Sequence, residues 1–99
     1  MNWESHIKQR ISIDSVYGDV VLIDSKKCTE IDARKNIYLI NSDSKIVWQV
    51  ESCFESRGLS SYTGIYLGDD GRLMAYSSNG IEYVLDKVSG KIIGKELIR

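Results

Sequence analysis

The sequence predicts an all-β protein: an antiparallel up-and-down meander of seven to eight strands, drawn as a curled sheet, a barrel or a half-barrel, with one short N-terminal helix as an addition. Three observations predict it. Thirteen Ile, seven Val, six Tyr, two Trp, two Thr and one Phe give 31 strand-favouring residues against two Ala. Apolar runs of about six residues are punctuated by turn residues, glycine above all. Within the runs, apolar and other side chains alternate with the period of a pleated strand. The 99 residues, 42% hydrophobic and 27% charged, suit one domain spanning 1–99, because a second core would need roughly 50 further residues. There is no proline, so proline-stiffened linkers and PxxP ligand segments are excluded.

At the N-terminus Trp3, Ile7 and Ile11 recur every fourth position, the spacing of a short amphipathic helix. Residues 11–16 and 19–24 flank Tyr17-Gly18 and read as a hairpin, and 28–33 reads as a weaker strand. Residues 36–41 and 45–51 form the next hairpin around Ser42-Asp43-Ser44, whose side chains can bond their own backbone. Ile37 and Leu39 should face the same way as Ile46, Trp48 and Val50, while Tyr38, Ile40 and Val47 take the opposite face. Residues 52–61 are the one long irregular connection, read as a crossover or a contact loop. Four further strands follow at 62–67, 72–77, 81–86 and 91–98, joined through Gly68-Asp69-Asp70-Gly71, Ser78-Asn79-Gly80 and Lys87-Val88-Ser89-Gly90. With no proline to guard its edges, such a sheet must close, charge its edges, or pair with a partner.

The net charge of −1 gives no support to binding nucleic acid or an anionic membrane. Its distribution is uneven: residues 36–86 carry seven acidic and three basic side chains, and the tail is basic through Lys87, Lys91, Lys95 and Arg99. No stretch approaches the roughly 18 apolar residues of a membrane span, and the first residues lack the features of a signal peptide, so the cytoplasm is the expected compartment. Cys28 and Cys53 stand 25 positions apart without a CxxC; two reduced thiols are expected there, neither a zinc knuckle nor a redox pair.

Catalytic groups are scarce. His6 is the only histidine, which removes the Ser-His-Asp and Cys-His arrangements of nucleophilic catalysis. Asp69 and Asp70 sit between glycines, where acids serve turn geometry rather than flank a cleft as glycoside chemistry requires. Gly64, Gly68 and Gly71 match neither a dinucleotide fingerprint nor a phosphate loop, and the acids lack the spacing of a calcium loop. No metal or other cofactor is implied, and the protein is expected to be non-catalytic. Tyr38, Trp48, Tyr62, Tyr66, Tyr76 and Tyr83 read as core or rim residues of a sheet, a chemistry that also suits a protein interface.

Two resemblances follow from these residues. Asn36-Ile37-Tyr38-Leu39-Ile40-Asn41 with Lys45-Ile46-Val47-Trp48 resembles the strand pair of a quinoprotein-type propeller blade, and Ile81-Glu82-Tyr83-Val84-Leu85-Asp86 with Ser89-Gly90-Lys91-Ile92 repeats the theme. A propeller needs at least about four blades, more than this chain can supply, so the likeness is one of hairpin chemistry. As a whole, an Ile- and Ser-rich β meander with an acidic centre and no catalytic groups is similar to the small immunity proteins that bacteria pair with contact-dependent growth-inhibition or polymorphic toxins. That resemblance implies an inhibitor that covers the active site of one cognate toxin. Toxins of this kind are often nucleases with basic clefts, which an acidic surface would meet with carboxylates. The residues expected to carry the binding are Glu51, Glu55, Asp69 and Asp70, with Tyr62 and Tyr66 as aromatic anchors. The competing expectation is a small barrel that carries an apolar ligand between Trp48, Tyr38 and the inward isoleucines.

Overall fold

Successive residues of a strand point to opposite faces, so the parity of each apolar residue decides which layer it joins. The computed structural model describes residues 3–14, 18–27, 34–52, 61–78 and 80–97. Its strands are β1 (Ile7–Asp14), β2 (Gly18–Ile23), β3 (Ile37–Ile40), β4 (Ile46–Gln49), β5 (Tyr62–Leu67), β6 (Leu73–Ser77), β7 (Ile81–Leu85) and β8 (Ile92–Leu97). They form two four-stranded antiparallel meanders, in the orders β1-β2-β3-β4 and β5-β6-β7-β8. The all-β meander of eight strands is therefore observed, but as two sheets that share a core and not as a closed barrel. The two propeller-like hairpins occupy the same place, as third and fourth strands of their respective sheets.

One core unites the sheets. Val20, Leu22, Ile37, Leu39, Trp48 and Val50 of the first sheet pack in one cluster with Tyr62, Ile65, Leu73, Ala75, Tyr83 and Leu85 of the second. The residues alternate along their strands, except on β5, where a register shift after Tyr62 brings both Tyr62 and Ile65 inward. The opposite face of the first sheet is also apolar at its centre, where Val21, Ile23 and Ile40 are buried with Ile7 and Tyr38 packed beside them.

The expected N-terminal helix is a single four-residue 3-10 turn, Trp3–His6, and Ile7 already belongs to β1. A spacing of four is an even number, so it satisfies a strand as well as a helix. A register shift then separates the two isoleucines: Ile7 pairs with Ile23 and Gln9 with Leu22, so the strand gains one residue and changes face. Ile7 consequently packs on the outer cluster, whereas Ile11 and Ile13 pack on the shared core. The weaker strand expected at 28–33 lies outside the described residues, as do Tyr17 of the first turn, residues 53–60 of the long connection, and both cysteines.

Side chains, rather than a continuous backbone ladder, tie the sheets together. The carboxamide of Asn36, buried at 1% exposure, donates to the carbonyls of Ile23 (2.8 Å) and Tyr62 (2.9 Å) and accepts from the Tyr62 amide (3.0 Å). It thereby acts as a short piece of strand between β2 and β5. Gln9 Oε1 accepts from the Ile65 amide at 2.9 Å, and Glu51 Oε1 from the Ile92 amide at 2.7 Å. At the far edge Trp48 Nε1 donates to the Lys87 carbonyl at 2.9 Å. The indole lies against Gly90, whose φ of +76° is open to glycine, and a Cβ there would come within 2.6 Å of Trp48 Cδ2.

Candidate functional site

Since Leu73, Ala75, Tyr83 and Leu85 point into the core, their neighbours on β6 and β7 must point away from it. Met74, Tyr76, Glu82 and Val84 therefore share the outer face of the second sheet, and register brings Tyr66 of β5 opposite Met74 and Val84 beside it. Tyr66 and Tyr76 sit diagonally, their ring centroids 6.2 Å apart and their planes inclined at 48°, within the contact distance of paired aromatic rings. The Tyr66 hydroxyl donates to Glu82 Oε2, which holds the ring across the sheet. Tyr76 lies over Gly64, where a Cβ would come 2.7 Å from Tyr76 Cε2. A glycine in mid-strand here makes room for an aromatic ring from the next strand.

The turn from β5 to β6 adds charge. Gly68 donates to the Arg72 carbonyl and Gly71 to the Gly68 carbonyl, both at 2.9 Å, with Gly71 at φ +84°. Asp70 Oδ1 accepts the Arg72 amide at 3.1 Å and its Oδ2 pairs with Arg72 Nε at 2.6 Å. The Arg72 amide, helped by the guanidinium, holds the Asp70 carboxyl below the usual carboxylate range. Tyr66, Asp69, Asp70, Arg72, Met74, Glu82 and Val84 line an open pocket of about 280 Å³.

Of the expected site residues, Tyr66, Asp69 and Asp70 meet in this pocket. Tyr62 does not join them. At 2% exposure it is a core residue, edge-on to Tyr83 at 5.7 Å, with its hydroxyl donated to the Glu51 carbonyl at 2.8 Å. The register shift between Tyr62 and Gly64 turns Tyr62 to the inside, against the parity it shares with Tyr66, and leaves it no surface to act as an anchor. Glu51 is exposed, but its carboxylate is engaged with the Ile92 amide and does not line the pocket. Glu55 lies outside the described residues. Tyr76, Glu82, Met74 and Arg72 join the surface without having been singled out as site residues. Strand alternation places Met74 and Tyr76 on one face, but the approach of Glu82 to Tyr66 depends on the register of three strands, which alternation does not reveal.

A second concavity, of about 390 Å³, lies on the first sheet between Arg10, Ser12, Asp19, Asn41 and Ser44. Its charges are paired internally: Asp19 accepts from Arg10 Nε and Ser12 Oγ, each at 2.8 Å, and the Arg10 bond first and the Ser12 bond second lower its pKa. Trp48 and Tyr38, named above as the walls of an apolar carrier site, belong to clusters on opposite faces of the first sheet and do not line one cavity.

No curated protein and no solved structure matches the chain. Residues 1–97 match the family described as "Domain of unknown function (DUF7957)", and the chain belongs to that family.

Proposed function

We propose that this protein is a non-catalytic inhibitor that acts in the bacterial cytoplasm by binding another protein, an immunity protein that neutralises a cognate toxin by covering its active site. One observation carries the reading. The two outer faces of the protein differ: the apolar centre of the first is buried within the chain, whereas the second presents Tyr66 and Tyr76 at 38% and 37% exposure beside Asp69, Asp70 and Glu82. Paired tyrosines bring large contact area at low entropic cost, and surrounding carboxylates favour a basic counterpart such as a nuclease cleft. Sheet residues position the rings, so little ordering is required when a partner docks.

Co-expression with the product of the adjacent reading frame tests this reading, scored by rescue of growth and by co-purification. An Asp69→Lys/Asp70→Lys/Glu82→Lys variant should associate roughly tenfold or more slowly at low salt. Tyr66→Ala should weaken the complex by about 2 kcal/mol. A complex that tolerates both variants at full affinity places the contact elsewhere.

A further inference from the structure

The pocket on the second sheet is built of three kinds of wall. Met74 and Val84 supply apolar surface, the Tyr66 ring an aromatic side, and Asp69, Asp70 and Glu82 the carboxylates. An apolar occupant would desolvate those carboxylates, and an anionic one would be repelled by them. A long apolar stem that ends in a cation satisfies every wall. The rim already pairs one guanidinium, because Arg72 lines the same pocket with its Nε 2.6 Å from Asp70 Oδ2. The pocket is open and offers about 280 Å³, room for a single long side chain.

We infer that this pocket receives an arginine side chain from the docked protein, its stem over Met74 and Val84 and its guanidinium directed to Glu82 and Asp69. The inference rests on the docking reading above and names the chemistry of the contact. A planar guanidinium can stack on the Tyr66 ring while it binds a carboxylate in its plane, which a lysine ammonium cannot reproduce. The Tyr66 hydroxyl, by donating to Glu82 Oε2, holds that carboxylate in place for the incoming group.

The test titrates the isotope-labelled full chain with N-acetyl-arginine amide and, separately, with the citrulline counterpart, which keeps the shape and lacks the charge. Saturable shifts of the Gly68, Asp69 and Val84 amides are expected with arginine in the range of about 1–10 mM, and none with citrulline. Glu82→Gln still accepts the Tyr66 hydroxyl and should weaken binding about threefold, while Arg72→Ala frees Asp70 and should tighten it about threefold. An equal response to both probes, an absence of saturation, or weaker binding by Arg72→Ala overturns the inference. Co-purification is scored independently. A captured partner without arginine-specific shifts refutes the occupant alone, and arginine-specific shifts without any captured partner support the pocket and refute the docking.

Discussion

Gly64 and Gly90 show how much a single missing Cβ can decide. Both lie beneath an aromatic ring, Tyr76 in one case and Trp48 in the other, yet their surroundings differ. Gly90 combines a φ of +76° with a buried indole that is fixed by its bond to the Lys87 carbonyl. Gly90→Ala should therefore cost about 2–4 kcal/mol, the sum of a left-handed alanine and a displaced core ring. At Gly64 only the far end of a partly exposed tyrosine must move, so Gly64→Ala should cost about 1 kcal/mol or less while breaking the Tyr66–Tyr76 pair. Urea denaturation measures the first quantity, and near-ultraviolet circular dichroism follows the second. In the sequence both positions are legible as turn or strand glycines, and nothing local indicates which ring covers them. The same limit explains Tyr62, whose chemistry suits an interface as well as a core; only its pairing with Ser77 and the shift that follows place it inside.

Among the elements, the hairpins were the most legible part of the chain because their signals are local. Asn41 Oδ1 accepts the amides of Asp43 (2.9 Å) and Lys45 (3.1 Å), and Asp86 takes the Val88 amide and the Ser89 hydroxyl, both at 3.0 Å. These are the side-chain-to-backbone bonds that polar turn residues announce. The link between sheets is not local: Asn36 looks like the start of a strand, and its bonds to Tyr62 span 26 positions. Asn36→Ala would remove three buried hydrogen bonds, to two carbonyls and from one amide. It should remove about 3–5 kcal/mol, a large share of the stability typical of a domain, and a marked fall in thermal midpoint is the expected measurement. Placement of the two similar hairpins also differs in a way that sequence conceals. Tyr38 and Tyr83 both stand three residues before their turn's Asn41 or Asp86, but Tyr38 packs on the outer cluster and Tyr83 in the shared core. Equivalent hairpins thus turn opposite faces to that core, and the sheets stack head to tail.

For the molecule as a whole, three aspartates among the described residues contribute to the acid limb of stability. Asp19 is held low first by the Arg10 bond, Asp70 by the Arg72 amide, and Asp86 by the Val88 amide with the Ser89 hydroxyl next. A carboxyl whose pKa is lower in the folded chain than its ordinary 3.8 favours folding in its ionised form. That contribution is complete above the ordinary value and disappears as pH falls through the lowered ones. Urea midpoints should accordingly hold steady from neutral pH to about 5 and decline below about 4. An Asp19→Asn/Asp86→Asn variant should start lower at neutral pH and decline less.

Head-to-tail stacking also sets a valence. The outer face of the second sheet is the counterpart of the face of the first sheet on which the second rests. Repeating the step would need the matching face at the other end to be open, and there Val21, Ile23 and Ile40 are already buried. A head-to-tail contact propagates into rings or filaments only when both of its halves stay available. Here one half is withdrawn, so the first sheet offers no matching outer face for a contact of that kind.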